Sequence, residues 1–266
     1  KHGTPQGLYA YDTRFLSRLA LTLDGRKVIP VGASPLNHSI ASFYSRSPGT
    51  RNTREGAVSI IRDRYVSHGF HEDISLTNHS SKRHKTRLEL SFDADFADVF
   101  EVRLGGITKA GKVTVKHREG HDICLVYERE EYQRETWIKF SDSPVIEGKT
   151  ASFEVVLEPK ATWRTCLSII PVVDEIPEPM PCLQDAVGSP WSPYKRDPNK
   201  VVCKITEKDI SGPLRDVPRL VTSNDCLRQA YEQAVVDLQA LTIKQESGLY
   251  ILAAGIPWFV AIFGRD

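Results

Sequence analysis

The sequence predicts a mainly β protein, an antiparallel β-sandwich followed by one amphipathic helix. Three observations carry that reading. Short runs from about residue 7 to 170 alternate polar and apolar residues, with turn signals between them. No helical period is legible between those runs, which argues against a doubly wound α/β fold. After a proline-rich stretch the apolar spacing changes from two to about 3.6 residues.

The first hairpin is read in LALTLDGRKVIPV, where Asp24-Gly25 suits a tight turn with positive φ. Further strands are expected in AVSIIRDRYVSHGF and HEDISLTN. KTRLELSF places Leu88, Leu90 and Phe92 on one face and Arg87, Glu89 and Ser91 on the other. DVFEVRL, GKVTVKH, DICLVYE and ETWIKFS follow as strands, and ASFEVVLE turns Phe153, Val155 and Leu157 inward. Around a dozen short strands of this kind imply a sandwich or related double sheet. Residues 1–170 are therefore read as one β-sandwich domain.

Residues 171–198 hold seven of the 16 prolines. Proline removes a ladder donor and fixes φ, so residues 171–222 are expected to form a linker wrapping the sandwich, with room for a last strand. Trp191 and Tyr194 are its expected anchors. In SNDCLRQAYEQAVVDLQALTI, Leu227, Ala230, Tyr231, Ala234, Leu238 and Leu241 fall at helical spacing. A helix is expected over 224–243, with Ser223 as N-cap and Asp225 in the first turn, where the helix dipole favours a negative charge. Its wide apolar stripe requires a partner surface. The apolar tail from Tyr250 requires one as well, so residues 223–266 are read as the start of a helical domain that the chain interrupts.

Global properties exclude several classes. The 35 Lys+Arg nearly cancel the 34 Asp+Glu, so nothing argues for nucleic acid or an anionic membrane. Leu249 to Gly264 is uncharged but falls short of the roughly 20 residues a spanning helix needs, and is expected to be a buried helix end plus loop. The five cysteines are scattered with no CxxC pair. They read as reduced buried thiols in a cytoplasmic protein. Sequons occur at Asn37 and Asn78.

The local polar clusters point to structural roles. Asp93, Asp95, Asp98 and Glu101 in DADFADVFE lack the glycine and spacing of a calcium loop; they read as solvated acids at a strand edge, with Phe92, Phe96 and Phe100 as core. In HGFHED, the spacing of His68 and His71, with Glu72 and Asp73, does not match a helical zinc motif. The basic run Lys82 to Arg87 reads as a solvated hairpin loop. No phosphate loop, nucleophile elbow or dinucleotide fingerprint is present. No metal and no cofactor are implied.

Two places resemble a known family. GLYAYDTRFLSRLALTLDGRKVIPV, with Asp12-Thr13-Arg14-Phe15-Leu16-Ser17, is similar to the opening of the N-terminal domain of bacterial and archaeal glycogen debranching enzymes of the amylo-α-1,6-glucosidase type. DFADVFEVR, Asp95 to Arg103, is similar to a later stretch of that domain. AGIPWFVAIFGRD, Ala254 to Asp266, resembles the segment that opens their catalytic domain. The resemblance implies a supersandwich-like β-sandwich preceding an (α/α)6 toroid, with the helix at 224–243 as the toroid's first. It implies that Arg265 and Asp266 hold substrate glucose, with Trp258 and Phe259 walling the pocket or bracing the loop. The substrate would be an α-glucan such as glycogen or limit dextrin, and the missing catalytic domain would be the sandwich's partner. The catalytic acid and base come from later helices in such enzymes, so the chain alone is expected to be inactive. Two alternatives stay open: a non-catalytic carbohydrate-binding or assembly module, and a related toroid glucosidase of glucoamylase-like or trehalase-like specificity. An aromatic sugar-binding face would draw on Tyr9, Tyr11, Tyr44, Tyr65, Tyr127, Tyr132 and Trp137; the architectural role is the favoured reading.

Overall fold

A computed structural model describes residues 4–37, 39–49, 54–66, 69–106, 111–118, 122–173, 176–177, 217–244 and 248–256. The chain divides into two compact units, Lys1–Trp191 and Ser192–Asp266.

The first unit is the expected antiparallel sandwich. Its large sheet takes the order β10 (Lys112–Arg118), β11 (Asp122–Arg129), β12 (Tyr132–Phe140), β15 (Thr162–Val173), β8 (Phe70–Asn78), β7 (Val58–Val66), β6 (Ile40–Arg46) and β5 (Ile29–Asn37), and β16 (Ile176–Pro177) pairs the end of β15. The smaller sheet runs β13 (Val145–Glu147), β14 (Thr150–Leu157), β9 (His84–Asp93), β3 (Arg18–Leu23) and β4 (Arg26–Lys27). Alternation works as read. Leu88, Leu90, Phe92, Val155 and Leu157 from the small sheet meet Ile60, Ile74, Leu76, Ile123, Leu125 and Ile138 from the large one in a single buried core. Each such side chain contributes about 1.5–3 kcal/mol by leaving water. Asp24 and Gly25 both have positive φ, 51° and 70°, and close the β3–β4 hairpin as expected.

β15 runs three residues into the proline-rich segment. Pro171 stands opposite Thr136 of β12, while β8 pairs β15 only as far as Ile169. A residue without an N–H is tolerated past the end of that ladder. Trp191 and Tyr194 lie outside the described residues.

One expected strand is a helix. DVFEVRL forms α1, Val99–Leu104. Asp98 accepts from the Phe100 and Glu101 amides at 2.8 and 2.9 Å, and Glu101 Oε2 accepts from the Asp98 amide at 3.1 Å. This capping box, closed by Gly105 in the left-handed region, fixes a helix too short to hold by itself. Asp98 and Glu101 are thus caps rather than solvated acids. Phe92 and Phe96 are core, but Phe100 is 62% exposed, because α1 buries Val99 and Val102 instead.

The buried polar groups at the strand ends are tightly partnered. Asn78 is fully buried, and its Nδ2 donates to the carbonyls of Lys82, Leu157 and Glu158 at 2.8, 3.2 and 3.1 Å. Its Oδ1 accepts from Ser80 N and Oγ at 2.9 and 2.8 Å. The folded chain does not present this sequon. Asn78→Asp would set a carboxylate against three carbonyl oxygens. The expected cost is at least about 3 kcal/mol, from about 1–3 kcal/mol for each stranded buried group. Urea unfolding checks this, and a change below about 1 kcal/mol would show that the amide is not a structural tie.

In the second unit α2 spans Asp225–Ala240, within the expected range. Asn224, not Ser223, caps it, accepting from Leu227 N at 3.2 Å; its side chain is the one that reaches the first-turn amide. No residue of α2 is buried, and Leu227 and Leu238 are 51% and 43% exposed. Tyr250–Leu252, expected in a helix end plus loop, is strand β18, antiparallel to β17 (Thr242–Lys244). The β-branched and aromatic residues there suit a pleated ribbon. Among the described residues no helix is long and apolar enough to cross a membrane. Cys124 and Cys166 are buried as expected. Cys226, in the first turn of α2, is exposed. Cys182 and Cys203 lie outside the described residues.

Candidate functional site: a strained turn on an arginine–aspartate anchor

β1 (Leu8–Ala10) and β2 (Thr13–Leu16) form a two-stranded hairpin whose tip is Tyr11-Asp12. Both tip residues have positive φ, 46° and 57°. Turns of this shape favour Asn-Gly, because side chains other than those of Asn, Asp and Gly clash there. A tyrosine in this conformation costs on the order of 1–3 kcal/mol, and such strain gathers at ligand-contacting positions. Tyr11 is 65% exposed and Asp12 is exposed as well.

The surroundings hold that conformation. The Val99 amide donates to the Asp12 carbonyl at 3.0 Å, and the Arg14 amide donates to the Ala97 carbonyl at 2.8 Å. Thr13 forms an isolated bridge with Asp98. Beneath the turn the Arg14 side chain is only 3% exposed. Its Nε donates to Asp95 Oδ1 at 3.0 Å, its Nη2 to Asp95 Oδ2, and its Nη1 to the Thr4 carbonyl at 2.7 Å. The planar guanidinium matches the carboxylate in two places at once. Burial opposes the Arg14 charge, but the hydrogen bond and charge of Asp95 outweigh it and hold the guanidinium above its usual value. A cation raised on folding stabilises fully below its unfolded value, which for a guanidinium already lies in strong alkali. The Arg14 contribution is therefore complete across the physiological range and lost only in strong alkali. Beside it, burial pushes the Tyr9 phenol up while Arg14 pulls it down, and Tyr9 donates to the Pro5 carbonyl at 2.7 Å. Gly7 completes the anchor: a Cβ there would stand 2.5 Å from the Leu16 carbonyl and 2.6 Å from Arg14 Cδ.

Sequence reading singled out Asp12-Thr13-Arg14 only as a motif, and treated Asp95 as a solvated acid. The 81-residue separation of Arg14 and Asp95 leaves no local signal of their pairing. Of the aromatic rings considered for a sugar-binding face, Tyr127 is buried. Tyr44 and Tyr132 are 39% and 40% exposed, but alternation along β6 and β12 places them on opposite faces of the large sheet, so they form no row. Trp258, Phe259, Arg265 and Asp266 lie outside the described residues.

The fold and this anchored turn define a two-sheet β-sandwich domain with a rigid, side-chain-bearing hairpin tip. Residues 1–168 match the family described as the N-terminal domain of some glycogen debranching enzymes, and the chain belongs to that family. No curated protein matches. Solved structures similar to the chain include a protein named as a kojibiose phosphorylase from the human microbiome, with 13% identity and a TM-score of 0.45, covering 65% of this chain and 24% of that one. A heparan sulfate lyase from Pedobacter heparinus shows 10% identity and a TM-score of 0.33, covering 59% and 24%. A galactose mutarotase-like protein from Clostridium acetobutylicum shows 10% identity and a TM-score of 0.27, covering 56% and 67%. The chain spans about a quarter of the length of the first two.

Proposed function

We propose that the chain is the N-terminal part of a glycoside hydrolase that releases α-1,6-linked glucose at glycogen branch points, its sandwich shaping the entrance of a catalytic toroid. Membership of the debranching-enzyme N-terminal family over residues 1–168 carries this reading. In it, residues 223–266 open the toroid, and Arg265, Asp266 and Trp258 bind the terminal glucose. Carboxylate and guanidinium groups hold sugar hydroxyls with hydrogen bonds of about 1.5–3 kcal/mol each. In the same reading the exposed Tyr11 and Asp12 contact the α-glucan by themselves, the ring covering an apolar sugar face and the carboxylate accepting a hydroxyl.

Glycoside hydrolysis needs an acid and a base carboxyl flanking the bond. The buried carboxylates among the described residues already have structural partners. Glu72 binds two arginines. Glu135 accepts from Trp137 Nε1 at 2.5 Å and from Gln133 at 2.7 Å. The 266-residue chain is accordingly expected to release no glucose from a branched limit dextrin, whereas the longer enzyme does so. In the longer enzyme Asp266→Asn is expected to reduce kcat/KM by about tenfold or more, the equivalent of one charged hydrogen bond. Turnover by the chain alone would overturn the reading.

The hairpin tip has its own test. Tyr11→Asn/Asp12→Gly relieves the backbone strain and is expected to stabilise the chain by about 1–2 kcal/mol. In the longer enzyme the same variant is expected to lose about tenfold or more in kcat/KM on limit dextrin. A stabilised variant with full activity would remove the tip from the substrate surface and leave the family reading intact.

A further inference from the structure

β8 and β15 are antiparallel neighbours, with Cys166 opposite Asp73 and Ser168 opposite His71. Alternation turns these four side chains to the face of the large sheet away from the core. The ligand-capable atoms of His71, Asp73 and Cys166 all lie within 4.8 Å of one another. His71 is fully buried and Cys166 nearly so, while the Asp73 side chain keeps 16% exposure.

His71 Nδ1 lies 3.0 Å from Ser168 Oγ, and Nε2 lies 3.4 Å from Asp73 Oδ1. The second distance is long for a charge-assisted hydrogen bond, ordinarily about 2.7–2.9 Å. It equals the edge of a metal tetrahedron: two ligand atoms each about 2.0–2.1 Å from zinc stand about 3.4 Å apart. When Nδ1–H donates to Ser168, the Nε2 lone pair points at the carboxylate. Two facing acceptors require a cation between them. Cys166 is set by its amide, which donates to Ser141 Oγ at 3.0 Å. The thiolate edges of such a tetrahedron are about 3.6 Å, so Sγ, within 4.8 Å of the other two ligand atoms, has at most about 1 Å to close.

We propose that His71, Asp73 and Cys166 form a binding site for a divalent transition-metal ion, zinc by its N, O and S donor set, that ties β8 to β15. On binding, the metal–sulfur bond forms as the Cys166 thiol releases its proton to solvent. The site is independent of the α-glucan reading. The competing arrangement is a simple Nε2–H···Asp73 hydrogen bond with no metal affinity.

Titration of the chelator-stripped 266-residue chain with Co²⁺ separates the two. The expected result is one equivalent bound, with a thiolate-to-cobalt charge-transfer absorption that Zn²⁺ displaces, Cys166→Ser abolishes and Cys226→Ser retains. Absence of that absorption, or its survival in Cys166→Ser, overturns the proposal. Should Cys166→Ser fail to fold, the imidazole nitrogen resonances of His71 in the unsubstituted chain decide it. A zinc-dependent shift of Nε2 supports the site, and unmoved resonances overturn it.

Discussion

Glu72→Ala is expected to destabilise the chain by about 3–5 kcal/mol, the cost of breaking a buried charge cluster by removing one partner. Glu72 has no solvent exposure and lies on the core face of β8, beyond the apolar run Ile74 and Leu76. Arg62 reaches it with Nε at 2.8 Å and Nη2 at 2.6 Å, and Arg64 with Nε at 2.5 Å. The register places Arg64 opposite Glu72 and Arg62 on the diagonal. Arg64 also lies over the Phe43 and Phe70 rings, at 4.5 and 5.6 Å. Loss of the carboxylate leaves two guanidinium groups facing each other, and Arg64 cannot swing out without uncovering the Phe43 and Phe70 rings. Arg62 and Arg64 keep 11% and 27% side-chain exposure, which favours the lower end of the range. For a domain of this size, that corresponds to a melting temperature lower by roughly 6–20 °C. A fall of under about 1 kcal/mol would show that the arginines rehydrate freely and that the cluster is peripheral to stability.

Arg14→Met is expected to cost about 3 kcal/mol and to loosen the hairpin tip selectively. Methionine fills much of the volume but donates nothing, leaving the Asp95 carboxylate with only the Ala97 amide at 3.3 Å and the Thr4 carbonyl without its Arg14 donor. Arg14→Lys is expected to recover little, because a point charge cannot reproduce the two-pronged contact. Amide hydrogen exchange gives the readout. The Arg14 and Val99 amides, which tie the tip to the Ala97 and Asp12 carbonyls, should exchange much faster in the variant through local opening, while the amides of β8 and β15 should accelerate by no more than the loss of global stability allows. Equal acceleration throughout would mean that Arg14 supports the whole sandwich and that the tip is not a separately anchored element.

Sequence and structure agree where the deciding interactions are local and part where they are long in range. Strands such as β9 and β14 were legible because alternation is a local property that burial on one face enforces. The Asp24-Gly25 hairpin was legible because positive φ leaves few residue choices. VFEVRL was misread as a strand. Its apolar spacing suits either period, and the decision rests on the capping box from Asp98 and Glu101, a signal easily taken for surface charge. Tyr11-Asp12 gave no turn signal, since the strain there is opposed by contacts with Ala97, Asp98 and Val99, more than 80 residues away.

By itself the sequence determined the β-sandwich class, most of its inward-facing residues, the position of the helix at 225–240 and, through the stretches Gly7–Val31, Asp95–Arg103 and Ala254–Asp266 in combination, the family. Only the tertiary structure decided which charges are buried together: Arg14 with Asp95, Glu72 with Arg62 and Arg64, and His71 and Asp73 with Cys166. The reason is physical. Alternation and turn chemistry act between neighbours in the chain, whereas these pairings exist only after strand register brings remote residues face to face in places largely shielded from water.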